Sequence, residues 1–60
     1  MKEKLTSKQK KFALEFLISG NITDAAKKAG YSERSARQIG SLNLTKPNVV
    51  EYMSEILSKT

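Results

Sequence analysis

Gly20, Gly30 and Pro47 divide the chain, and the stretches between them carry apolar residues at helical rather than alternating spacing. No stretch is long enough for more than one short helix. The pattern predicts an all-α fold, a compact bundle of about four short helices. With 60 residues there is material for a single domain, 1–60, in which residues 1–5 form a basic N-terminal arm. A chain of this size withdraws only about 60% of its unfolded surface from water, so its core has to be small.

The first helix is expected after Thr6, whose hydroxyl caps it while Gln9 completes a capping box, and Gly20 supplies a left-handed stop. Leu5, Phe12, Ala13, Phe16 and Leu17 share one face, and Leu14 and Ile18 widen the apolar arc to about 240°. So wide an arc implies packing against more than one neighbour. The second helix is placed at about Asp24 to Ala29 with Thr23 as its cap, exposing a small face of Ala25, Ala26 and Ala29 to another helix. The third is expected to be capped by Ser32 and to run to about Asn43. It turns Ala36, Ile39, Gly40 and Asn43 inward and Arg34, Arg37, Gln38 and Ser41 outward. Gly40 inside a helix costs about 1 kcal/mol relative to Ala, which implies a close helix contact there. The fourth begins at Pro47 or is capped by Asn48, and its apolar half includes Val49, Val50, Tyr52, Met53, Ile56 and Leu57. Phe12, Phe16, Ala26, Ile39, Val49 and Met53 are the expected shared core.

Composition removes several function classes. Without cysteine or histidine there is no disulfide, no thiolate or imidazole ligand and no imidazole base, and the carboxylates form no evident pair. No enzyme activity, cofactor or metal is expected. The charged start at Met1-Lys2-Glu3-Lys4 does not resemble a signal peptide, and no apolar run approaches a membrane span, so a cytoplasmic protein without membrane contact is expected.

The net charge is +5, and it is uneven: Lys2, Lys4, Lys8, Lys10 and Lys11 stand against Glu3 alone in the first stretch, whereas residues 42–60 are balanced. A positive front half suits a polyanion, because each neutralised phosphate releases counterions. Two helices joined by a tight glycine turn form a helix-turn-helix, whose second helix enters the major groove of DNA. The spacing Ala26, Gly30, Ala36, Ile39 fits one: a small residue where the helices cross, a turn glycine, then inward apolar positions. A plain helical hairpin is the competing reading. Arg34, Arg37 and Gln38 have the chemistry for purine edges and equally for phosphate or water. Ser32, Ser35 and Ser41 are modest phosphate donors, and Lys27, Lys28, Lys8 and Lys11 are placed as phosphate clamps. Tyr31 is expected to pack its ring inward rather than stack on a base.

Leu5-Thr6-Ser7-Lys8-Gln9 with Phe12, the run Asn21-Ile22-Thr23-Asp24-Ala25-Ala26-Lys27-Lys28-Ala29-Gly30-Tyr31-Ser32, and then Ala36, Gly40-Ser41, Leu44, Pro47 and Val49 resemble the N-terminal domain of bacteriophage terminase small subunits. The middle run is the specific part. Ile22 departs from the smaller residue common at that position. The resemblance implies a viral DNA-packaging protein that recognises a packaging-initiation site on double-stranded DNA and delivers it to a large terminase subunit. That docking, and assembly into a homo-oligomer, belong to regions beyond a domain of this kind, so the domain alone is expected to be a monomer excised from a longer chain. The residues by themselves equally fit a transcriptional regulator or a recombinase-type domain. A helical protein-interaction module is the reading from another class.

Overall fold

A computed structural model describes residues 5–59; the greater part of the expected basic arm, including Lys2 and Lys4, lies outside the described residues. The elements are α1 (Ser7–Ser19), α2 (Ile22–Ala29), α3 (Ala36–Thr45) and α4 (Pro47–Lys59). α2 packs on α1 and α3, and α4 closes against α1 and α3.

The helix ends follow local chemistry. Thr6 Oγ1 accepts from the Gln9 amide at 3.1 Å while Gln9 Oε1 accepts from the Thr6 amide at 3.0 Å, completing the capping box. Gly20 closes α1 at φ 70°, donating its N–H to the Phe16 carbonyl. Gly30 closes α2 at φ 107°, where its N–H donates to Lys27 and the Tyr31 N–H reaches back to Ala26 at 3.0 Å. This paired closure is a Schellman motif. Tyr31 packs on the core cluster that contains Ala26, supplying the apolar contact that accompanies such an ending. Pro47 stands in the first turn of α4, where its missing N–H has no partner to lose, and Lys46 ahead of it is extended, as a residue before proline must be.

Two expected starts are corrected. α2 is capped by Asn21, not Thr23: the Asn21 side-chain oxygen accepts from the Asp24 amide at 2.9 Å, and Thr23 lies within the helix. α3 starts at Ala36, four residues after Ser32, and extends two residues past Asn43 to Thr45. Ser32 instead organises a turn. Its hydroxyl accepts from the Arg34 amide at 3.3 Å and its carbonyl from the Ser35 amide at 3.1 Å, so residues 33–35 are hydrogen-bonded as a turn before the helix begins.

The core is one aromatic ring in a socket of alanines. Phe12 is fully buried among Ala25, Ala26, Ala29 and Ala36, with Phe16, Ile22, Tyr31 and Leu44 packed around the cluster. Alanine positions on two helices let both backbones approach the ring closely. Phe16 stacks against Phe12 with centroids 6.0 Å apart. Val49 and Ala13 are also fully buried. The expected core is smaller than the apolar pattern suggested: Phe16, Ile39 and Met53 are only half-buried, and Leu14 and Ile18 on the wide arc of α1 are exposed, Ile18 at 78%. α2 has eight residues and its inward face is alanine, so it covers only part of α1.

Gly40 answers the question its sequence position raised. A Cβ there would lie 2.5 Å from Ile22 Cγ2 and 3.2 Å from both the Ile22 carbonyl oxygen and Phe12 Cε1. Alanine would gain about 1 kcal/mol of helix propensity. Overpacking costs roughly 1–3 kcal/mol, and here a backbone oxygen and the central ring stand in the way. Gly40→Ala is therefore expected to lower the urea midpoint, and adding Ile22→Ala should restore less than the whole loss, since two of the three obstructions remain. A Gly40→Ala variant more stable than the parent would refute the close contact.

Candidate nucleic-acid interface

The sequence of packing decides which side of α3 faces solvent. Ala36, Gly40 and Asn43 lie inward and are buried, four and three residues apart. Asn43 is the buried polar side chain among the described residues, and its amide nitrogen donates to the Tyr31 hydroxyl at 3.5 Å. That bond ties α3 to the residue immediately after the Gly30 turn. With three positions held by the core, the opposite side is left outward: Arg37, Gln38 and Ser41 are exposed.

Arg34 belongs to the turn ahead of α3 rather than to the helix, contrary to the expected rigid helical placement, because Ser32 holds residues 33–35 as a turn. It nevertheless joins the helical donors. Arg34, Arg37, Gln38 and Ser41 line one open groove together with Leu42 and Thr45. Two arginines, a glutamine and a serine thus line a single surface. This is the combination that meets phosphates and purine edges.

The other candidates are placed as follows. Lys8, exposed near the start of α1, sits with its ammonium 5.4 Å from the centre of the Tyr31 ring, which brings the first helix's basic end to the turn between α2 and α3. Lys11 is exposed one turn further along α1. Lys27 is 3.9 Å from Glu33 and Lys28 is 3.9 Å from Glu15. Both pairs are long and both lysines are exposed, so the ammonium groups are held only loosely. Ser32 is exposed in the turn, whereas Ser35 is half-buried at the α3 cap position without a side-chain capping bond.

Leu42 and Thr45 were absent from the residues singled out in the sequence. They follow from the same helical spacing: Leu42 is four residues after Gln38, and Thr45 four after Ser41. A polar criterion passes over leucine. Among the described residues no group of three or more acidic, histidine or cysteine side chains could hold a metal ion, and no helix is long and apolar enough to cross a membrane.

The family model for the terminase small subunit matches residues 5–60. The terminase small subunit of Bacillus phage SPP1 is 42% identical over 60 residues, covering 98% of this chain and 41% of that protein. That of Bacillus phage SF6 is 51% identical over 51 residues, 82% of this chain and 35% of the relative. A Staphylococcus phage 80alpha relative of the same description is 41% identical over 56 residues, 92% and 38% of the two chains. The chain thus spans about two-fifths or less of the length of these relatives. No solved structure matches it significantly.

Proposed function

The chain belongs to the terminase small subunit family, and from that premise we propose that it is a helix-turn-helix DNA-binding domain serving viral DNA packaging, with α3 as the element that enters the major groove. The observation that carries this reading is the convergence of Arg34, Arg37, Gln38 and Ser41 on one groove of α3 whose opposite side is locked into the core. The partner is double-stranded DNA at a packaging-initiation site. The domain contributes binding rather than catalysis, and it acts in the host cytoplasm alongside a large terminase subunit that is engaged by other parts of a longer, oligomeric protein.

Within this reading the basic groups divide their work. Lys8 and Lys11 on α1, Lys27 and Lys28 on α2, and the donors Ser32 and Ser35 at the turn address phosphates on either side of the groove, and Arg37, Gln38 and Ser41 point toward the bases. Arg34, at the mouth of α3, is the residue whose role a measurement separates most cleanly. Arg34→Ala is expected to cost about 1–3 kcal/mol on a packaging-site fragment and much less on a scrambled duplex, if its guanidinium reads a guanine. Lys8→Ala should weaken both duplexes alike. Equal losses on the two DNAs for Arg34→Ala would make it a phosphate contact and leave sequence reading to α3 itself.

A further inference from the structure

The groove on α3 ends in two side chains that offer a duplex no hydrogen-bond donor. Leu42 is 54% exposed although the neighbouring core positions Gly40 and Asn43 are buried, so it stands outward beside the donors rather than beneath them. Thr45 directs its hydroxyl to the Leu42 carbonyl at 2.7 Å. Its donor is thereby committed to its own helix, which leaves its methyl group and an oxygen that can only accept. The groove therefore changes character along the helix: guanidinium, amide and hydroxyl groups at Arg34, Arg37, Gln38 and Ser41, then carbon at Leu42 and Thr45.

One feature of the major groove matches the carbon end. Each thymine presents a C5-methyl group there, and apolar side chains read it by contact. We propose that Leu42, supported by the Thr45 methyl, is a specificity-determining residue that reads a thymine methyl in the target duplex. This rests on the reading that α3 enters the major groove. An α-helix rises 1.5 Å per residue, so Leu42 lies about 6 Å along the axis from Gln38. At about 3.4 Å per base pair, and with the helix inclined to the duplex axis, the thymine lies no more than about two base pairs from the base that Gln38 addresses.

The test replaces thymine by deoxyuridine, which removes the methyl group and leaves the base-pairing edge unchanged. A duplex enriched by this chain from a randomised library is synthesised with deoxyuridine at each thymine in turn, and affinities are measured for the parent, Leu42→Ala, Leu42→Met and Thr45→Ser. The parent is expected to lose about fourfold at one or two neighbouring thymines, the value of burying one methyl-sized group. Leu42→Ala should bind the thymine and deoxyuridine duplexes equally, Leu42→Met should keep the discrimination, and Thr45→Ser should reduce it. Because Leu42 is more than half exposed, its variants should retain the parent's circular dichroism. Enrichment of a duplex that shows no methyl dependence, or a dependence that survives Leu42→Ala, overturns the proposal and leaves DNA binding intact. Failure to enrich any duplex overturns DNA binding and this proposal together.

Discussion

Phe12→Ala is expected to unfold the domain or bring it to the edge of unfolding. The ring is fully buried and touches alanines from two other helices, so its removal leaves a cavity that short alanine side chains cannot fill. Such a change costs about 3–5 kcal/mol. At about 0.05–0.15 kcal/mol per residue, a domain of this length has only about 3–9 kcal/mol in total. Phe16→Ala, on the same helix and stacked on the same ring, should cost less because Phe16 is half-buried. Denaturant titration followed by helical circular dichroism orders the pair. An unchanged midpoint for Phe12→Ala would contradict the alanine-socket description, and an equal loss for both would place Phe16 in the core as fully as Phe12. Because the ring also approaches Gly40, the same substitution should loosen α3 and weaken whatever that helix binds.

The second large effect is on binding. Affinity for DNA is expected to be modest and to fall steeply with salt, since the ammonium groups of Lys8, Lys11, Lys27 and Lys28 on phosphates supply most of it. If about four phosphates are neutralised, raising monovalent salt from about 50 to about 200 mM lowers affinity about 10²-fold. Removing Lys8 and Lys11 together should flatten that slope by about two counterions, whereas Gln38→Ala should leave the slope unchanged. Several copies on one DNA raise the effective concentration, so a longer oligomeric protein should bind more tightly than the domain. Affinity independent of salt would remove the electrostatic basis of the proposed function.

How much of this was legible in the sequence depended on whether one residue or several competed for a role. Thr6, unlike Ser7 beside it, has a glutamine three residues on to complete a capping box, and Gly20 and Gly30 stand at the ends of apolar patterns, so those helix ends are legible in the sequence. Asn21 and Thr23 can each cap a helix. Only the reach of the Asn21 side chain to the Asp24 amide separates them, and that is a matter of backbone geometry. Ser32 and Ser35 pose the same ambiguity, which the turn resolves in favour of a later start for α3.

Burial shows a related limit. A helical wheel orients Phe12, Leu14, Phe16 and Ile18 around α1, but which part of the arc is covered depends on the length and side-chain size of its neighbours. A short alanine-faced α2 reaches Phe12 and leaves Ile18 in solvent. The outward face of α3 was legible for the opposite reason: Ala36, Gly40 and Asn43 leave room for only one orientation. Its polar members were found by their chemistry. Leu42 and Thr45 share the periodicity without the polarity, so the groove's apolar end emerged only with the fold.

The measurement that bears most directly on the account follows the backbone amides of the isotope-labelled chain by NMR while duplex DNA from a phage packaging region is added. If α3 enters the groove, the largest shifts fall on Arg34, Arg37, Gln38, Ser41 and Leu42, with smaller ones at Lys8 and the Ser32 turn, while exposed positions of α4 such as Glu51 and Ser54 stay in place. Shifts centred on α4 or on Leu14 and Ile18, with α3 unmoved, would contradict it.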